Sequence, residues 1–230
     1  MNAVPGENPY KVNLHRVYVW ELPVRLVHWL LFFSILILAV TGYYIGNPFA
    51  SGELLMARMR EVHLYTSIVF TLCVLVRVYW AFVGNRYARW SDLIPISRRR
   101  LHSLWTTLRF YTFLGREPDE YVGHNALAGL SYAIIFGVYF VMIATGLALY
   151  TVDAPVGSPM RAFVFLIPLF DGLQMARLIH HIGMWVILVF ATAHMYFVVL
   201  SSTVEHVGIF DSILSGFKYM PRTRSRRSGL

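Results

Sequence analysis

The stretch RLIHHIGMWVILVFATAHMYF, residues 177–197, is apolar enough to lie in lipid, yet it carries His180, His181 and His194. An imidazole inside a bilayer is costly unless it is paired, so each is a candidate functional residue. If the stretch is helical, His180 and His194 are 14 residues apart, about 40° short of four full turns. They share one face, about 21 Å apart along the axis. His181 lies about 220° round the helix from His194 and points elsewhere. The stretch therefore reads as a membrane helix with two functional histidines at two depths and a third that is structural.

The rest of the chain supports a membrane setting. Of its 230 residues, 57% are hydrophobic, above the roughly 45–50% of soluble domains. Four segments reach the roughly 20 apolar residues a spanning helix needs: about 24–46, 61–83, 125–150 and 178–201. None alternates with period two, which argues against a membrane β-barrel. The first is too long for a signal-peptide core and no small-residue cleavage site follows it closely, so it is read as a retained helix. The expected fold is an all-α membrane protein, a four-transmembrane-helix bundle forming one domain over residues 1–230.

The net charge of +8 does not mark a nucleic-acid binder, because the charge lies in loops between apolar spans. Arg86, Arg89, Arg98, Arg99, Arg100, Arg109 and Arg116 fall in the middle loop (84–123). Lys218, Arg222, Arg224, Arg226 and Arg227 fall in the tail (202–230). The positive-inside rule then places both termini and the middle loop in the cytoplasm. Within that loop, RRRLHSLWTTLRFYTFL suits a helix lying on the membrane surface. The tail PRTRSRRSGL reads as a disordered basic segment suited to anionic lipid. The single cysteine, Cys73, excludes an internal disulfide, a four-thiolate cluster and a Cys-x-x-Cys-His haem attachment. It reads as a packing residue.

Orientation gives the histidines depths. His63 opens the second span and His180 the fourth, both at the outer side. His28 and His194 both lie toward the cytoplasmic side. His63 with His180 and His28 with His194 thus make two sites, each with two axial ligands, as two stacked haems require. A bis-His haem has no open axial position, and its natural task is to pass single electrons. The competing reading is that these histidines hydrogen-bond helix to helix. Gly42, 14 residues after His28, lies at the depth of the outer site. It either lets a flat macrocycle approach the backbone or packs two helices. Arg77, 14 residues after His63, lies at the inner depth and either meets a haem propionate or snorkels. His15, His102 and His206 lie outside the spans and read as loop residues.

The motifs PVRLVHW…TGYYIGNP (23–48), RVYWAFVGNRY (77–87), VGHNALAG (122–129) and HHIGMW…AHMY (180–196) resemble the cytochrome b subunit of membrane-bound [NiFe] hydrogenases. The resemblance covers roughly residues 15–220, and departs from the usual pattern where Ala126 replaces the proline of GHNP. It implies two b haems held by His28, His63, His180 and His194. It also implies an iron–sulfur small subunit and a nickel–iron large subunit as partners, and electron delivery to a membrane quinone, menaquinone or ubiquinone. Hydrogen chemistry would then belong to a partner subunit. His124 would start the third helix near the cytoplasmic surface, either as a quinone-site residue that hydrogen-bonds a carbonyl or delivers a proton, or as a structural helix terminus. The PVRLVHW element is shared with formate dehydrogenase gamma subunits, which keeps that partner open. A histidine-using transporter is a third reading, although Glu61, at a span end, is the only carboxylate the spans offer.

Overall fold

The structure, a computed structural model, describes residues 14–49, 52–93, 97–112, 114, 123, 126–205 and 209–221. Four long helices dominate it: α1 (Leu22–Gly46), α2 (Glu53–Val83), α5 (Ala126–Asp153) and α7 (Leu173–Glu205). Pro23 sits in the first turn of α1, where a missing N–H costs nothing. Asn47 ends that helix by donating its backbone N–H to Tyr43 O at 2.9 Å. All four are long and apolar enough to cross a membrane. Their outward faces agree. Leu26, Leu30, Phe33, Ile37 and Val40 form an exposed stripe along α1, a surface that water would not tolerate at this length.

The helices form two hairpins, α1 with α2 and α5 with α7. Within each hairpin the helices pack along their length. Across the hairpins backbones come close at few places, chiefly where α2 passes α5. One apolar cluster joins all four: Val27 and Leu31, Phe70, Cys73 and Val74, Ile135, Phe136 and Tyr139, and Ile187. Phe70 meets Tyr139 edge-on with ring centroids 5.1 Å apart, a favoured aromatic geometry. Cys73 is buried here, as a packing residue should be.

At the end of the bundle that carries the termini, the all-helical expectation needs amending. Residues 14–18 form β1, which pairs antiparallel with β2 (Phe217–Pro221) in register Leu14↔Pro221 to Tyr18↔Phe217. A short helix, α8 (Ile209–Ser215), leads into β2. Residues 209–221 of the tail are thus folded, and residues 206–208 and 222–230 lie outside the described residues. Val19 and Trp20 donate their backbone N–H groups to Gly216 O at 2.8 and 3.1 Å. Trp20 Nε1 donates to Ser212 Oγ at 3.1 Å, and the Arg25 guanidinium donates to Leu214 O. Gly216 has φ +88°, and a Cβ there would lie 2.8 Å from Trp20 O, so both conformation and space demand glycine.

The same end holds a polar clasp. Glu21 Oε2 accepts from Trp80 Nε1 and from the Asn85 backbone N–H, both at 2.8 Å. Asn85 Nδ2 donates to Val19 O at 2.9 Å, and its Oδ1 accepts from the N–H groups of Tyr87 and Ala88. The VGNRY motif thereby ties the end of α2 to the segment entering α1.

In the middle loop, α3 (Trp90–Leu93) is followed by α4 (Arg98–Tyr111). Ser103 and Thr107 of α4 are buried, while Leu101, Trp105 and Leu108 are exposed at spacings of four and three. That exposed apolar stripe supports the sequence expectation of a helix on the membrane surface. His102 lies in α4 and His15 in β1, so neither is a loop residue. His206 lies outside the described residues. At the opposite end, a 3₁₀ segment (Pro159–Phe165) and α6 (Leu166–Leu169) fill what the sequence reading left as loop.

Candidate cofactor site

The histidines meet across the gap between hairpins, one from each. His63 of α2 faces His180 of α7 with ring centroids 6.4 Å apart. His28 of α1 faces His194 of α7 at 6.3 Å. Imidazoles bound to opposite sides of one metal at about 2.0–2.1 Å place their ring centres roughly 6.3–6.5 Å apart. Both separations suit one metal ion between the rings. Each centre is a pair: among the described residues no three His, Cys, Asp or Glu side chains converge. Two axial nitrogens suit iron whose four other ligands come from a macrocycle.

The protonation of the first pair follows from its neighbours. Thr41 Oγ1 lies 2.7 Å from Ile37 O, the carbonyl one turn earlier. Its one hydrogen is donated there. The 2.9 Å contact with His63 Nδ1 must then be donated by the imidazole N–H. The same arrangement recurs in the other hairpin. Thr145 Oγ1 donates to Val141 O at 2.8 Å and accepts from His180 Nδ1 at 2.8 Å. Both rings therefore carry their proton on Nδ1 and keep the Nε2 lone pair for a metal. In the second pair, His28 Nδ1 is buried and, among the described residues, lacks a hydrogen-bond partner. His194 stacks on Phe190, centroids 6.0 Å apart and planes 10° from parallel.

These rings can hold an iron macrocycle. Residues 19–216 match the family described as prokaryotic cytochrome b561. The chain belongs to the prokaryotic cytochrome b561 family. Relatives are similar over almost the whole length. A "Probable Ni/Fe-hydrogenase B-type cytochrome subunit" of Azotobacter chroococcum mcd 1 is 38% identical, covering 93% of both chains. Its namesake in Rhizobium leguminosarum bv. viciae is 39% identical, with the same coverage. A "Probable Ni/Fe-hydrogenase 1 B-type cytochrome subunit" of Escherichia coli (strain K12) is 35% identical, covering 90% of this chain and 92% of its own. The motif resemblance to hydrogenase b-type cytochromes thus extends far beyond the motifs themselves. As a member of the cytochrome b561 family, this is a membrane protein whose implied group is a b-type haem.

The other sequence candidates take definite places in this cytochrome b561-family fold. Gly42 faces the His63 ring: a Cβ there would stand 3.1 Å from Cε1. The glycine makes room for the imidazole itself. Gly146, which the sequence reading passed over, does the same more loosely for His180 at 3.4 Å. Arg77 is 6% exposed, its Nη1 donating to Ala88 O at 3.2 Å. It borders a small cavity with Trp90 and Tyr132, and among the described residues it forms no ion pair. His181 turns away from both pairs and accepts from Trp185 Nε1 at 3.2 Å, as its angular offset predicts. His124 lies outside the described residues. The residues that sequence reasoning missed are Thr41 and Thr145. Their one signal is the dipeptide Thr-Gly, present once in each hairpin.

Proposed function

We propose that this chain is a di-haem b-type cytochrome that carries single electrons across a bacterial cytoplasmic (inner) membrane. It takes them from the iron–sulfur small subunit of a [NiFe] hydrogenase, anchors that enzyme at the outer face, and delivers them to the quinone pool. The observation that carries this reading is the pair of His–His separations, 6.4 and 6.3 Å, each drawn from two hairpins. The names of the relatives support the hydrogenase partner, and the basic termini and middle loop support a cytoplasmic location for that end.

Haem, when bound, supplies one-electron redox chemistry at iron. The chain's own residues do the rest. His63 and His180 would hold the outer haem, and His28 and His194 the inner one, each pair offering the iron two imidazoles. The cluster of Phe70, Tyr139, Leu31 and Ile187 keeps water from the space between the pairs. Arg77, a buried cation with no carboxylate partner among the described residues, would receive a haem propionate in this reading. His124 serves the quinone, menaquinone or ubiquinone, by holding a carbonyl oxygen or delivering a proton.

Haem quantification and a reduced-minus-oxidised spectrum of the gently purified complex test this. We expect b-type bands, two haems per chain and a nickel–iron partner. One haem or none overturns the di-haem assignment. A molybdenum or tungsten partner in place of nickel–iron replaces the hydrogenase with a formate dehydrogenase-like complex.

A further inference from the structure

A small cavity near the end of the bundle that carries the termini is bordered by Arg77, Trp90 and Tyr132, with Val78 and Phe136 among its apolar walls. One contact fixes its level. Gly42 of α1 meets the His63 ring of α2. His28 lies 14 residues before Gly42, and Arg77 lies 14 residues after His63. The two helices run in opposite directions, so both counts descend about 21 Å. Arg77 therefore stands at the level of the His28–His194 pair.

The chemistry of the cavity is one-sided. A guanidinium and an indole N–H can only donate. Arg77 is 6% exposed and, among the described residues, forms no ion pair. Trp90 Nε1 is buried and has no hydrogen-bond partner among the described residues. A buried donor without an acceptor is costly, and a buried cation without an anion more so. The indole is held in place from two sides. Arg77 Nη1 donates to Ala88 O at 3.2 Å, two residues before Trp90, and the Trp90 ring packs edge-on against Phe82 with centroids 6.1 Å apart. The arginine that needs an anion thus anchors the segment that brings the second donor. A water or a quinone carbonyl would satisfy the indole but leave the charge unmatched. A carboxylate answers both, with a negative charge and acceptor capacity for several donors.

We propose that Trp90 joins Arg77 in a two-donor cradle for a carboxylate, filled by a propionate of the haem that His28 and His194 hold. This rests on the di-haem reading above. It makes Trp90 a positioning residue and ties α3 of the middle loop to the inner haem. It also sets a direction of effect. A propionate charge favours ferric iron and donors offset that charge, so losing a donor lowers the potential of that haem.

The test is resonance Raman spectroscopy and redox titration of the full-length protein, purified as its complex, with haem quantified in every sample. The component lost in His28→Ala identifies the inner haem. In Trp90→Phe at full haem content, we expect the propionate bending band to shift, the inner component to fall in potential and the outer one to stay in place. If Trp90→Phe instead loses the inner haem, its return in Trp90→His, which keeps a ring N–H, upholds the proposal, and loss in both variants overturns it. An unmoved band and potential in Trp90→Phe overturn it, as does an equal shift of both components. A raised KM for quinone with both haem readouts unmoved would assign the cavity to the quinone headgroup instead, and an unchanged KM would leave the donors to water or to a carboxylate of the chain. Failure of the di-haem reading looks different: wild type would then lack two b-type components, or His28→Ala would remove neither.

Discussion

Alanine at His180 is expected to halve the haem content, from two per chain to one, and to stop electron flow through the protein. The expectation is sharper than a loss of function, because the four histidines are paired in space. His63→Ala should remove the same spectral component as His180→Ala, since the two rings face each other 6.4 Å apart. His28→Ala and His194→Ala should both remove the other component, their rings being 6.3 Å apart. His181→Ala should leave both haems, because that ring is engaged with Trp185. Losing one axial imidazole leaves a haem held at one side of the gap between hairpins, where few backbone contacts close the space. Haem quantification and redox titration of the five variants check this directly. Any variant that shares its phenotype with the wrong partner, such as His63→Ala with His194→Ala, refutes the pairing.

Most of that pairing was legible from the sequence. Fourteen residues is nearly four helical turns, so spacing alone placed His180 and His194 on one face and set His181 aside. The orientation read from loop charge then gave each span an expected outer and inner end, and so matched the depths. The helix ends were less legible. Glu53 to Arg60 fell outside the expected span of about 61–83, yet they extend α2 by two turns, with an Arg58–Glu61 pair at 3.0 Å on an exposed flank. The β1–β2 sheet was hidden for a different reason. Its strands are five residues each, lie about 200 positions apart, and show no clean alternation of apolar and polar residues, so local pattern carried no signal for them. Thr41 and Thr145 were hidden because a hydroxyl in a membrane helix has an ordinary explanation. Only the structure brings each within 2.9 Å of an imidazole in the neighbouring helix. Gly42 was found by its depth, but the neighbour it accommodates is the imidazole of His63.

Gly84→Ala is expected to be strongly damaging for so small a substitution away from the histidines. The backbone at Gly84 is extended, with φ −67° and ψ 179°, so conformation alone would admit alanine. Space would not. A Cβ would stand 2.6 Å from Trp80 O and 2.7 Å from the Cδ1 atom of the same residue. The carbonyl is backbone and accepts the Gly84 N–H at 2.8 Å, so it cannot move away without breaking the end of α2. The indole is no freer, because its Nε1 donates to Glu21. Relief therefore requires opening the clasp in which Glu21 binds both Trp80 and the Asn85 N–H. Overpacking costs about 1–3 kcal/mol, and a weakened hydrogen bond to a charged group adds about 1.5–3 kcal/mol. We expect a loss of several kcal/mol, read as a fall in the thermal midpoint of the purified protein and in its yield from membranes. Gly46→Ala is the control, since a Cβ there meets nothing within 4 Å and should leave both readouts unchanged. Glu21→Ala should reproduce part of the Gly84→Ala defect, and in the double variant the two losses should not add, because both act through one cluster. Full additivity would show that Gly84 matters for a reason other than the clasp.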